Sequence, residues 1–138
     1  MPAAAEAGPP PGWANLGLDI VAADRVRELI DNHGERFLLR MLTERELADC
    51  RTDEGLNTLA VCGRIAAKEA AFKTLRVADT ILPWLDIEVH RAPGGWPLIE
   101  LHGRAAQLAE AAGISGITVS ISHDAGYAAA VAAPIPVG

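Results

Sequence analysis

The stretch from Thr58 to about Leu75 constrains this chain most: it has no proline, and Leu59, Cys62, Ile65, Ala66, Ala70, Phe72 and Leu75 recur at helical spacing in an alanine-rich background. That pattern predicts a long, buried, central helix. Lys68, Glu69 and Lys73 lie within it, and Glu69 and Lys73, four residues apart, share a face. On an exposed helix they would form an ordinary salt bridge. Here Ile65, Ala66, Ala67, Ala70 and Ala71 leave little polar surface to solvate three charges together.

Around this helix the rest of the chain reads as one domain. Residues 1–14 carry Pro9, Pro10 and Pro11 and no apolar run, and read as a disordered Ala/Pro-rich tail ahead of a domain over 15–134. Leu16, Leu18 and Ile20 alternate with Gly17, Asp19 and Val21 as in a strand. Asp24 stands where an N-cap belongs, before a short helix ending near His33 and Gly34. Thr43 and Glu46 have the spacing of a capping box for a second short helix, and residues 52–57 read as a loop. Ile87 and Val89 begin a strand that Ala92-Pro93-Gly94-Gly95 turns into Pro97 to Leu101, a hairpin. A helix over Ala105 to Ala112 and two final strands, Ile117 to Ser122 and Tyr127 to Ala133, complete the chain. The fold class is therefore α+β, with helices packed on one face of a mostly antiparallel sheet.

Of the 138 residues, 50% are apolar and 22% charged, and the net charge is -6. A chain of this length can bury a core without staples, and with only six aromatic residues that core is expected to rest chiefly on Leu, Val and Ile. No apolar run approaches the ~18 residues of a membrane span, so no membrane partner is expected. Cys50 and Cys62 read as reduced thiols, which points to a cytoplasmic setting. The acidic balance disfavours nucleic acid as a partner. Six of the 12 basic residues nevertheless cluster within 24–51, as Arg25, Arg27, Arg36, Arg40, Arg45 and Arg51. Interleaved with acids, they read on their own as a solvated, charge-paired face.

Asp19 is a carboxylate in an otherwise apolar strand, which costs desolvation unless a cation or an arginine compensates it or that face meets solvent. A strand carboxylate together with Glu69 could hold Mg²⁺ through oxygen ligands, and a nearby ammonium would neutralise phosphate charge. His123, among Ser120, Ser122 and Asp124, reads first as a turn residue. Gly94-Gly95 fits a hairpin turn better than a phosphate loop, because no helix follows it.

Five ordered blocks resemble the holo-acyl-carrier-protein synthase family, the small 4'-phosphopantetheinyl transferases. Gly17-Leu18-Asp19-Ile20-Val21 with Arg25 is similar to its first-strand motif, and Arg64-Ile65-Ala66-Ala67-Lys68-Glu69-Ala70-Ala71-Phe72-Lys73 to its helix signature. Arg36-Phe37 with Arg40 and Leu42 to Leu47 lie between them, and Asp86 to Val89, Leu101-His102-Gly103 and Val119 to His123 come after, all in family order. The resemblance implies the 4'-phosphopantetheinyl transferase fold and transfer of the phosphopantetheine arm of coenzyme A to a serine of an apo acyl carrier protein of fatty-acid or polyketide synthesis. Adenosine 3',5'-bisphosphate would be released.

Carried over residue by residue, the resemblance makes Asp19 and Glu69 ligands of Mg²⁺ and Glu69, Lys73 and Lys68 catalytic. Arg64, Lys68, Lys73 and His123 would bind coenzyme A, and Arg25, Arg36, Phe37 and Arg40 would bind the carrier. A metal-held water and Glu69 both stand as the base for the serine proton. The family also implies a homotrimer with active sites between subunits. Two departures stand out: Leu75-Arg76-Val77-Ala78 replaces a Gly-Thr-Gly loop, and Trp96 replaces the lysine of a Gly-Lys-Pro turn. They leave a second reading open, a carrier-protein-binding module of the same fold with weak or no catalysis.

Overall fold

A computed structural model describes residues 15–138, so the expected tail over 1–14 lies outside the described residues. Strand β1 (Gly17–Ala22) leads into helix α1 (Ala23–His33), a 3-10 turn over Glu35–Arg40 and the short helix α2 (Glu44–Asp49). A small hairpin of β2 (Arg51–Thr52) and β3 (Gly55–Leu56) replaces the loop expected at 52–57 and precedes α3 (Thr58–Thr74). The hairpin β4 (Ile87–Arg91) and β5 (Pro97–Leu101), helix α4 (Gly103–Ala111) and strands β6 (Ile114–Asp124) and β7 (Tyr127–Pro136) follow. The last strand thus runs past the boundary expected at 134.

The main sheet has the order β1-β7-β6, and every strand pair is antiparallel. Helix α3 lies across it, and β5 runs beside β6 without joining its ladder. This is the expected α+β arrangement.

Local chemistry explains the element ends. Asn57 caps α3, its side-chain oxygen accepting from the Ala60 amide at 3.1 Å. Thr43 and Glu46 form the expected capping box on α2. Asp24 is not the cap of α1; Ala22 holds that position, and Asp24 lies in the first turn, paired with Arg27 at 3.1 Å. Helix α4 begins ahead of the expected Ala105, because Asp86 Oδ2 accepts from the Arg104 amide at 2.8 Å and satisfies its first turn from outside.

The core departs from the expectation of a Leu, Val and Ile interior. Ala66, Ala67, Ala70 and Ala71 of α3, Ala105 and Ala109 of α4, and Ala130 and Ala132 of β7 are all buried in one cluster with Ile87, Val89, Ile117 and Val119. Small side chains let α3 approach the sheet closely. The contact is tightest at Gly17, where a Cβ would stand 1.8 Å from the Ala70 carbonyl oxygen. A second cluster joins Val26, Leu38, Leu42, Leu47, Val61, Cys62 and Ile65 at the other end of α3.

Because Gly17 faces the helix, Asp19 and Val21 face it too, and the more apolar set of β1 faces outward. Leu16, Leu18 and Ile20 are 51%, 64% and 64% exposed, and Val131, paired with Leu18, is exposed beside them.

Candidate active site

Two groups of side chains lie on different sides of α3. The first centres on Asp19, which β1 directs at the helix. Its side chain is only 12% exposed, its Oδ1 is 3.6 Å from Lys73 Nζ, and its Oδ2 is buried with no hydrogen-bond partner among the described residues. Lys73 Nζ also donates to the Leu18 carbonyl oxygen at 2.7 Å.

Glu69 stands beside Asp19. Burial, then the closeness and like charge of Asp19, push the Glu69 carboxyl up to about 7 against the opposing charges of Lys73 and Arg25. Two crowded carboxylates, one with an orphaned oxygen, form a hard-oxygen donor set, so these residues fit the Mg²⁺ that the sequence resemblance implies. Arg25, exposed on α1, is near enough for its charge to act on Glu69, which places it at this group's edge.

Lys68 is a correction to the sequence reading. Its ammonium is fully buried and donates to the Met41 carbonyl at 2.7 Å, the Trp84 carbonyl at 2.9 Å and Glu46 Oε1 at 2.6 Å. All three donors are used, so none is left for a phosphate. Glu46 in turn accepts from the Thr43 and Val89 amides. The pair braces α3 to α2 and β4, a structural role that the shared helix segment concealed.

The second group lines a cleft of about 380 Å³ between the start of α3, the β4–β5 hairpin and the end of β6. Arg64, His90, Arg91 and His123 supply its polar wall. The Arg64 guanidinium is buried, its nearest carboxylate is Asp49 at 4.0 Å, and its Nε has no partner among the described residues. His123 Nε2 lies 3.1 Å from the Leu59 carbonyl oxygen, over Gly63, where a Cβ would stand 3.1 Å from that nitrogen. A cleft of this volume with two arginines and two imidazoles is suited to a phosphorylated ligand.

Along α3, Arg64 is turned from Glu69 by about 140° and from Lys73 by about 180°, at 3.6 residues per turn. One chain therefore holds the expected acidic and nucleotide-binding residues but does not bring them together.

Of the expected carrier-binding residues, Arg36, Phe37 and Arg40 lie on the 3-10 turn, while Arg25 lies apart on α1. Phe37 is half-buried, stacked on His33 at 5.0 Å and covered by the Arg40 guanidinium at 5.1 Å from its ring centre. Arg36 and Arg40 are exposed and carry no ion pair among the described residues, whereas Arg27 and Arg51 are paired with Asp24 and Glu35.

Sequence reasoning missed His90, Arg91 and the placement of Arg76. Alternation along β4 would have set His90 on the face of Glu88. Arg76 has φ +52, a left-handed backbone that glycine adopts freely, and its guanidinium donates to the Leu16 carbonyl at 3.2 Å. It thus fills the turn where a glycine loop was expected.

The model of the 4'-phosphopantetheinyl transferase superfamily matches residues 15–132. A holo-[acyl-carrier-protein] synthase of Moorella thermoacetica is 44% identical over 118 residues, covering 84% of this chain and 89% of that protein. One of Desulforudis audaxviator is 37% identical over 117 residues, covering 85% and 88%. Among solved structures, the Helicobacter pylori holo-[acyl-carrier-protein] synthase in complex with coenzyme A is 32% identical, with a TM-score of 0.73 over 86% of this chain and 98% of that one. Matched in sequence and in fold over most of its length, the chain belongs to the 4'-phosphopantetheinyl transferase superfamily, among its holo-[acyl-carrier-protein] synthases.

Proposed function

We propose that the protein transfers 4'-phosphopantetheine from coenzyme A to a serine of an apo acyl carrier protein in a Mg²⁺-dependent reaction. The observation that carries this reading is the Asp19, Glu69 and Lys73 constellation, with its orphaned Asp19 oxygen. A bond forms between the serine oxygen and the pantetheine-side phosphorus, the pyrophosphate P–O bond breaks, and adenosine 3',5'-bisphosphate leaves. The chemistry needs in-line placement and charge neutralisation more than covalent help.

Asp19 and Glu69 would hold Mg²⁺, which when bound neutralises pyrophosphate charge. Lys73 meets the charge that develops on the leaving phosphate. A metal-held water or Glu69 in its ionised form would take the serine proton. Arg64 and His123 in the cleft receive the nucleotide, with Arg91 adding charge. Arg25, Arg36 and Arg40 attract an acidic carrier despite the net charge of -6 on the enzyme.

The two halves face different sides of α3, so a second copy would complete each site. This supports a homotrimer assembled through the exposed row of Leu16, Leu18, Ile20 and Val131. No helix among the described residues is long and apolar enough to cross a membrane.

Intact mass spectrometry of an apo acyl carrier protein incubated with the protein, coenzyme A and Mg²⁺ tests the reading. One phosphopantetheine should be gained, and none with EDTA. No gain over several carriers, with carrier binding retained, would leave a binding module instead.

A further inference from the structure

We propose that Glu88, His90 and Glu100, on one face of the β4–β5 hairpin with His102 beside them, form a binding site for a divalent transition-metal ion of the Zn²⁺ class. Strand alternation places Glu88 and His90 two residues apart on β4, and Glu100 and His102 two apart at the end of β5. Glu88 stands directly opposite Glu100 in the antiparallel register. Like charges so placed destabilise a hairpin unless a cation lies between them.

Three donor groups converge there, with ligand atoms of Glu88, His90 and Glu100 all within 4.8 Å of one another. His90 Nε2 is 3.1 Å from Glu88 Oε1 and 2.7 Å from Glu100 Oε2. His102 Nε2 is 3.1 Å from the same Glu88 oxygen and 3.8 Å from Glu100 Oε1. A tetrahedral zinc ion with bonds of about 2.0–2.1 Å needs neighbouring ligand atoms roughly 3.3 Å apart; His90 Nε2 stands 3.1 and 2.7 Å from the two glutamate oxygens, close to that value, with the fourth position open to water.

The cluster is held from behind. Thr43 Oγ1 donates to Glu88 Oε2 at 2.8 Å, which leaves Oε1 facing the imidazoles. Glu46 Oε2 accepts from the Val89 amide at 2.8 Å and fixes the strand between the two ligand residues of β4. The His90 side chain is 11% exposed and Nδ1 meets no partner among the described residues, so its ring engages only through Nε2. An imidazole with two carboxylates selects a borderline transition metal over Mg²⁺, which prefers all-oxygen ligands. An ion there would pin the hairpin whose His90, Arg91, Gly95 and Pro97 line the cleft.

The test is titration of the full-length, chelator-stripped protein with ZnCl₂ by calorimetry in excess Mg²⁺, and with CoCl₂ by visible absorption. One Zn²⁺ per chain and the intense bands of tetrahedral Co²⁺ are expected. His90→Gln, Glu100→Gln and His102→Gln should each weaken binding by at least about tenfold, the loss that follows even from removing an orienting neighbour. Asp19→Asn should bind Zn²⁺ as the wild type does. Absence of binding and of tetrahedral Co²⁺ bands in the wild type overturns the proposal, as does loss in Asp19→Asn or unchanged affinity in the His90 and Glu100 variants. Circular dichroism checks each variant's fold, and the Co²⁺ spectrum of the wild type decides even if a variant unfolds.

Discussion

Two lysines five residues apart on one helix have unrelated roles because one is buried and the other exposed. Lys68→Met leaves Glu46 as an uncompensated buried charge and is expected to cost about 3–5 kcal/mol, read by urea denaturation. Lys73→Met should leave stability nearly unchanged and slow transfer on the order of a hundredfold in a mass-based rate assay. Asp19→Ala should abolish Mg²⁺-dependent transfer while circular dichroism stays native. Glu69 adds a pH dependence. Its folded pKa is raised from 4.5 to about 7, so between those values the metal-free folded protein binds more protons than the unfolded chain. Stability should therefore fall as pH rises through that window, and Glu69→Gln should lack the slope in denaturation series across it. Mg²⁺ affinity, which needs the ionised carboxylate, should weaken as pH falls below about 7.

At the scale of elements, β1 and α3 make the acidic half of the site only because their backbones nearly touch. Gly17→Ala would place a methyl 1.8 Å from the Ala70 carbonyl oxygen, so the strand must move and carry Asp19 with it. A loss of about 1–3 kcal/mol or more, with a matching loss of transfer, is expected in thermal melts and rate assays. The α3 segment was legible from its alanines and lack of proline, and the capping box of α2 from Thr43 and Glu46. The start of α4 was not, because Asp86 satisfies it from another element. Lys68 was misread for a related reason: its partners Met41, Glu46 and Trp84 are distant in sequence.

At the scale of the molecule, the exposed Leu18 and Ile20 of β1 bear on assembly. If the proposed homotrimer forms, sedimentation of the wild type should give three chain masses, and Leu18→Asp with Ile20→Asp should give one, with transfer lost because the proposed site is shared between copies. A trimeric double variant with full activity would rule out this surface. Most of the fold class and the family could be determined from the sequence alone, since periodicity, capping residues and the ordered blocks around Asp19 and Glu69 are local along the chain. Which face of β1 is buried, which lysine is free, and that Arg64 and Glu69 diverge around α3 were decided only by the tertiary structure. Burial, hydrogen-bond saturation and the direction of a side chain depend on what packs against it, and those neighbours come from remote parts of the chain.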